Sequence, residues 1–209
     1  MEQHIGCVVM AAGNASRFAA NKLTAEFGGK PLIERALDAV PQSLETVVVT
    51  QYPEIEKAAV RRGFAVRKNL HPDWGVSHTI RLGVEALEGC DAILFTVADQ
   101  PLLTRASVEA VVARWQSEPD CIAALSHNGR RGNPCIFSKT FFPELSALTG
   151  DLGGSVVIRN HPELLRLVPA EASELLDVDT PEALDRLRRQ TQSENTPPTL
   201  GEKPPMAER

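Results

Sequence analysis

Ile5-Gly6-Cys7-Val8-Val9-Met10-Ala11, followed by Ala12-Gly13-Asn14-Ala15-Ser16-Arg17, is the stretch on which the fold turns. Its first seven residues form a nearly uninterrupted apolar run, the pattern of a strand covered on both faces. Small and polar residues from 12 to 21 then break the run. A helical pattern opens near Pro31, where a missing N–H costs nothing, and Leu32, Ile33, Ala36, Leu37 and Val40 mark one helical face. The alternation continues outward from there. Residues 46–50 read as a β-branched strand, 53–62 as a helix, 64–67 as a short strand and 92–97 as another buried strand. Ser77 is placed to cap a helix carrying Ile80, Val84 and Leu87. Thr104 is placed to cap the next, whose Val108, Val111, Val112 and Trp115 keep helical spacing. Repeated β-α-β units with short apolar strands predict an α/β fold, a three-layer, doubly wound, mostly parallel sheet.

The second half is less regular. Residues 121–125 and 135–137 read as strands joined by a polar, glycine-bearing turn at 127–132. Phe141, Phe142, Leu145 and Leu148 suggest a helix, and Gly153 and Gly154 punctuate before another short one. Residues 175–178 read as a final strand. Thr180-Pro181 then starts a helix through about Arg189, with Thr180 as its cap and Pro181 at its first position. From Thr191 the composition turns polar and proline-rich, so one domain is expected over 1–190 and a disordered tail over 191–209.

Composition narrows the function classes. A chain of 209 residues, 43% hydrophobic and 23% charged, suits one compact domain. Its 22 basic and 27 acidic residues give a net charge of −5, which argues against a general nucleic-acid or anionic-membrane coat. No apolar run reaches the roughly 18 residues of a spanning helix, and Met1 is not followed by the basic region and cleavage site of a signal peptide. Cys7, Cys90, Cys121 and Cys135 are far apart and form no CxxC, the usage of reduced thiols in a cytoplasmic protein.

Three segments carry the chemistry. In the first, the N–H groups of Ala11, Ala12, Gly13, Asn14, Ala15 and Ser16 can approach an anion that bulky side chains would block, and Arg17 and Lys22 add positive charge. The position follows the first strand, at the carboxyl edge where open parallel sheets bind ligands. A triphosphate suits it, yet neither G-x-x-x-x-G-K-[ST] nor G-x-G-x-x-G is present. An ordinary tight turn with two surface cations would have the same sequence. In the second, Asp99 of Val97-Ala98-Asp99-Gln100-Pro101 emerges from an apolar strand at that same edge. A carboxylate there suits Mg²⁺, and equally a turn before proline. In the third, Asp177 and Asp179 of Asp177-Val178-Asp179-Thr180-Pro181 alternate onto one side, able to complete a metal site or to cap the following helix.

The A-A-G-x-x-x-R-F-x-x-x-K loop at 11–22, the A-D-Q-P turn at 98–101 and the D-V-D-T-P-E-A-L segment at 177–184 together resemble the MobA-like nucleotidyltransferases of molybdenum cofactor biosynthesis, closest to the molybdenum cofactor cytidylyltransferase branch. Gly28-Gly29-Lys30-Pro31-Leu32, the G-V-S-H-T-I-R-L-G stretch at 75–83, Gly132-Asn133-Pro134 and L-T-G-D-L-G-G at 148–154 extend the resemblance over about residues 5–189. It implies a Rossmann-like nucleotidyltransferase fold with the nucleotide in the N-terminal part and the acceptor over about 120–190. The implied reaction is transfer of CMP from CTP to the terminal phosphate of the molybdenum-bearing pterin, with release of pyrophosphate. The guanylyl branch typically carries A-G-G where Ala11-Ala12-Gly13 stands, and Cys where Ala98 stands. Asn133 and Ser77-His78-Thr79 depart from the cytidylyl branch where pterin or base contacts are implied. A guanylyltransferase, another sugar- or alcohol-phosphate nucleotidyltransferase and a non-catalytic cofactor carrier are the alternative readings.

The expected site therefore has Arg17, Lys22 and Asp99 as catalytic residues, with Gly75 and Ser77 joining the loop in nucleotide binding. Asp99 and Asp179, supported by Asp177, would hold Mg²⁺, with Mn²⁺ as the alternative ion. An acceptor phosphate monoester has its second pKa near about 6 and needs no activating base; alignment and charge neutralisation are what the reaction requires. Transient contact with a molybdenum hydroxylase or its chaperone is also implied. His4, His127 and His161 read as surface residues without a metal role. His71 and His78 flank the segment assigned to the base, Arg130 and Arg131 beside Gly132 suit either the pterin's phosphate or a solvated hairpin tip, Trp74 and Trp115 read as packing, and Cys7 and Cys135 as small hydrophobes.

Overall fold

The computed structural model describes residues 3–13 and 21–194. The strand read first is β1, Ile5–Ala11. A short 3-10 turn, Lys22–Thr24, and a two-stranded ribbon of β2 (Glu26–Phe27) and β3 (Lys30–Pro31) lead into α1, Leu32–Ala39. Then come β4 (Glu45–Thr50), α2 (Pro53–Arg61), β5 (Ala65–Lys68), α3 (Val76–Ala86), β6 (Ala92–Val97) and α4 (Arg105–Ser117). The second half supplies β7 (Ile122–His127), β8 (Arg130–Ser138), α5 (Phe142–Ser146), α6 (Ser155–Asn160), β9 (Leu165–Pro169) and α7 (Pro181–Glu194). Seven strands form one sheet in the order β5-β4-β1-β6-β8-β7-β9. Among the described residues only β8 runs against the rest of this sheet, pairing antiparallel with β6 and β7, so the sheet is mostly parallel as expected.

The uninterrupted apolar runs have a simple cause. Alternate side chains of β1 feed two cores, Cys7 and Val9 on one face and Val8 on the other. Ile33 and Leu37 of α1, Ile55 of α2 and Val108, Val111 and Trp115 of α4 close the first face. Ile80 and Val84 of α3, Leu145 of α5 and Val157 of α6 close the second. Trp115 is buried, and its Nε1 donates to Ser138 Oγ at 2.8 Å. The caps at Thr104 and Thr180 form: their Oγ1 atoms accept from Ser107 N at 3.2 Å and Ala183 N at 3.1 Å.

Three expectations are corrected. Ser77 does not cap α3, because Gly75 holds the cap position and Ser77 lies inside the first turn, its N–H donating to Gly150 O at 3.1 Å. Residues 175–178 are not a strand. A 3-10 turn, Ala172–Leu175, ends there, and Val178 is buried instead in a small third cluster with Phe27, Leu32, Leu184 and Leu187. The last strand is β9, an edge strand whose partly exposed Leu165-Arg166-Leu167 leaves only a weak apolar signal. Finally, α7 continues to Glu194 rather than stopping near Arg189; residues 195–209 lie outside the described residues. Among the described residues no helix is long and apolar enough to cross a membrane, and all four cysteines are free.

Candidate active site

The carboxyl ends of β1 and β6 open on one cleft of about 320 Å³, lined by Ala11, Ala12, Gly13, Lys22, Thr79 and Asp99 among others. Side chains from the end of β4 fix the start of the loop. Thr50 Oγ1 donates to Ala11 O at 2.9 Å, Gln51 Nε2 to Ala12 O at 2.8 Å and Tyr52 Oη to Gly13 O at 3.0 Å. These bonds turn the three carbonyls toward β4. Gly13 lines the cleft, and among the described residues nothing lies within 4 Å of where its Cβ would stand. Asn14, Ala15, Ser16 and Arg17 lie outside the described residues.

Lys22 is presented by a short turn whose register is set on both sides. Asn21 Oδ1 accepts from Leu23 N at 3.1 Å, and Leu23 is buried in the core. The Lys22 ammonium donates to Asp99 Oδ2 at 2.6 Å and to Asp179 Oδ1 at 3.2 Å. Burial would lower its pKa, but the two carboxylates outweigh that and leave it raised. Asp99 follows β6 directly, and its backbone carbonyl accepts from Val178 N at 2.9 Å. That bond brings the Asp177-to-Asp179 segment beside the end of β6. Asp177 accepts from Gln100 Nε2 at 2.9 Å, and burial together with the nearby Asp99 carboxylate pushes its pKa up. All three aspartates named from the sequence therefore gather at one sheet edge.

The opposite wall is built on glycine. Gly75 has φ of +84°, and a Cβ on it would run into the Gly150 carbonyl. This close approach lets Asp151 line the cleft beside Gly75 and Thr79. Gly75 lines the cleft, whereas Ser77 is buried in α3 and is not among the cleft's lining residues. Asn69 was not singled out from the sequence, and Thr79 and Asp151 entered only as parts of the 75–83 and 148–154 motifs, without a role of their own. Asn69 Nδ2 donates to Thr79 Oγ1 at 3.2 Å and its backbone N–H to Thr50 O at 2.8 Å, a buried knot between β4 and α3. The one available signal was Asp151's place between Gly150 and Gly153.

The remaining conspicuous residues have structural partners. Trp74 is half-exposed and stacks on His71 at 4.1 Å between ring centroids, so it is not a core residue. His78 is buried, and its Nδ1 lies 2.9 Å from an Arg81 guanidinium nitrogen; burial and that guanidinium hold its pKa below the ordinary histidine value. His127 bonds Ala170 O at 3.0 Å, His161 pairs with Glu144 at 2.7 Å, and His4 with Glu45 at 2.8 Å.

Against this cleft lies a second, largely apolar cavity of about 230 Å³, which shares Met10, Val76 and Val97 with it. Phe95 and Phe137 meet edge-on there at 6.0 Å, and Gly154 leaves room for the Phe137 ring, which a Cβ would approach to 2.8 Å. Arg131 and Asn133 of β8 complete its lining.

Residues 7–165 match the MobA-like NTP transferase domain family. The chain belongs to that family. It is 31% identical over 197 residues to the purine catabolism protein PucB of Bacillus subtilis (strain 168), covering 87% of this chain and 95% of PucB. The structure of Rv0371c from Mycobacterium tuberculosis H37Rv in complex with manganese aligns with a TM-score of 0.72 at 19% identity, over 90% of this chain and 99% of that one. CMP:2-keto-3-deoxy-manno-octonic acid synthetase complexed with CTP also aligns with a TM-score of 0.72, at 16% identity, over 91% and 99%. The protein is thus a nucleotidyltransferase of the MobA-like family, and its sheet is the Rossmann-like sheet that such enzymes share.

Proposed function

We propose that the chain transfers CMP from CTP to the terminal phosphate of a molybdenum-bearing pterin, releasing pyrophosphate. One observation carries the nucleotidyl-transfer reading. The ammonium of Lys22 lies between Asp99 and Asp179 in a cleft at the carboxyl edge of the sheet. Two carboxylates that already grip one cation are the donor set a hard dication takes when substrate phosphates supply its other ligands. Asp99 and Asp179 would hold Mg²⁺ or Mn²⁺, which when bound neutralises charge on the triphosphate.

The chain's own groups do the rest. Ala12, Gly13 and the loop beyond them give backbone N–H groups to phosphate oxygens, with Arg17 adding charge. Lys22, held charged by its neighbours, offsets the negative charge that develops on the departing pyrophosphate. The apolar cavity receives a flat heterocycle against Phe95 and Phe137, and Arg131 meets its phosphate. Because the two cavities share a wall, the acceptor phosphate is brought beside the α-phosphorus, and this alignment is the main source of rate. The product would pass to a molybdenum hydroxylase or its chaperone. The choice of CTP rests on Ala12 and Ala98, which stand where the guanylyl branch carries Gly and Cys.

The test is pyrophosphate release from CTP, GTP, ATP and UTP with the pterin acceptor and either Mg²⁺ or Mn²⁺. Release that is strongest with CTP and dependent on acceptor supports the proposal. Preference for GTP would move the chain to the guanylyl branch, and tight binding of finished cofactor without turnover would make it a carrier.

A further inference from the structure

At the amino-terminal ends of the same strands lies a second cluster with chemistry of its own. His4 precedes β1, Glu45 opens β4, and Cys90 stands just before β6. These strands are neighbours in the order β4-β1-β6, with Gly6 paired to Glu45 and Ile5 to Ala92. Three residues far apart in sequence are thereby fixed side by side on rigid backbone. His4 Nε2 lies 2.8 Å from Glu45 Oε2, and Cys90 Sγ lies 4.0 Å from His4 Nε2 and 3.9 Å from Glu45 Oε2. Among the described residues, this is the only set of three or more His, Cys, Asp or Glu side chains whose ligand atoms converge so closely.

We propose that His4, Glu45 and Cys90 form a binding site for a borderline-soft divalent ion, Zn²⁺ by preference. One imidazole nitrogen, one carboxylate oxygen and one thiolate sulfur are a mixed set that zinc accepts and Mg²⁺ does not. Tetrahedral zinc would hold the nitrogen and oxygen about 3.4 Å apart and the sulfur about 3.6 Å from each. The observed spacings differ from these by about half an ångström, a shift that two exposed side chains make by small rotations. The fourth position faces solvent and takes water.

The surroundings support the ligands. His4 is clamped to Asp91 by two bonds, His4 N–H to Asp91 Oδ2 at 2.9 Å and Asp91 N–H to His4 O at 2.7 Å. Gly6 keeps the space in which the Cys90 side chain lies, since a Cβ there would stand 3.0 Å from Sγ. Burial and the carboxylates of Glu45 and Asp91 push the Cys90 thiol up to about 11. The same local excess of negative charge favours a dication, and on binding the thiol proton passes to solvent as the metal–sulfur bond forms. The site is the length of β1, on the order of 20 Å, from the nucleotide cleft, and would tie three strand ends together as a structural staple.

Full-length protein stripped with chelator and held in excess Mg²⁺, which occupies the aspartates, would be titrated with Co²⁺ and then Zn²⁺. One equivalent of Co²⁺ should bind with a thiolate-to-cobalt charge-transfer band that Zn²⁺ abolishes, and Zn²⁺ should raise the melting temperature. Cys90→Ser should remove the band. Should that buried change prevent folding, His4→Ala and Glu45→Gln alter only exposed side chains; each should weaken Co²⁺ binding by about a hundredfold or more, beyond the range usual for loss of a ligand's supporting contact, with pyrophosphate release unchanged. A wild-type protein without the charge-transfer band, or cobalt affinity unaltered in His4→Ala, overturns the assignment.

Discussion

Lys22 Nζ and Asp99 Oδ2 lie 2.6 Å apart across 77 positions of sequence, joined by nothing except the convergence of β1 and β6 at one sheet edge. The contact makes Asp99 a residue whose loss is felt in chemistry before stability, because it sits past the end of β6 and contributes little to either core. Asp99→Asn should lower pyrophosphate release by about 10²–10³, the range for removing one preorganised charge contact from a transition state. Circular dichroism and melting curves should stay near those of the wild type. Wild-type turnover in this variant would remove the aspartate from the proposed site.

Lys22→Met tests the other partner while keeping the length of the stem. The ammonium is assigned to the phosphates alone. The KM for CTP should therefore rise and kcat fall, while the KM for the acceptor stays within about twofold, since uniform and transition-state contributions separate in this way. A variant whose CTP dependence matched the wild type would contradict the phosphate role.

The two glycines of the cleft separate packing from binding. Gly75 is at φ +84° with the Gly150 carbonyl in the space a side chain would need, so Gly75→Ala should cost about 1–3 kcal/mol in backbone strain, besides displacing the Gly150 loop. Gly13 has neither constraint among the described residues. Gly13→Ala should leave the melting temperature unchanged while raising the KM for CTP, because the methyl group is added at the wall of the cleft proposed to hold the phosphates. Thermal melts and CTP titrations of both variants check the contrast; equal stability losses would refute it.

The architecture was legible wherever burial was two-sided. Strands such as β1 and β6 meet a core on each face, and their apolar runs say so directly. The edge strand β9 was not legible, because its half-exposed residues lack that run, and Leu175 to Val178 imitated it although Val178 buries in another cluster and Leu176 is exposed. Asp99 was readable as a residue emerging beyond a strand end, whereas Asp177 and Asp179 were picked out on a strand that does not form. Their meeting with Lys22 was legible only as an expectation, since it depends on the hydrogen bond from Val178 to Asp99. Asn69, and its bond to Thr79, were invisible, because a buried polar pair leaves no periodic trace. The cluster of His4, Glu45 and Cys90 was equally so, arising purely from strand order.

His78 gives a pH dependence whose sign follows from its burial. Its pKa is lowered by desolvation, by Arg81 and by His71, and raised in part by Glu85 and Asp73. The unfolded chain therefore takes up a proton from about pH 6.5 downward while the folded chain refuses it, and stability falls as pH drops through that range. The Arg81 guanidinium, donating to the unprotonated Nδ1, supports the same neutral form. Melting temperatures of the wild type and of His78→Asn should diverge least favourably for the wild type at about pH 5 and approach a constant difference above about pH 7. A difference independent of pH would show that His78 accepts a proton in the folded state as readily as in the unfolded one.

Among the described residues, Arg131 is the one cationic side chain that lines the apolar cavity, on β8, the one strand of the main sheet that runs against the others. It is exposed and outside both cores, so its replacement leaves packing intact. Its assigned role is to meet the acceptor's phosphate, and a charge-assisted hydrogen bond of that kind contributes about 1.5–3 kcal/mol. Arg131→Ala should therefore raise the acceptor KM by about tenfold or more, while the KM for CTP and the melting temperature stay as in the wild type. Arg131→Lys should recover part of the loss, since it restores the charge without the bidentate fork. A rise in the CTP KM instead would assign Arg131 to the nucleotide and leave the apolar cavity without its acceptor role.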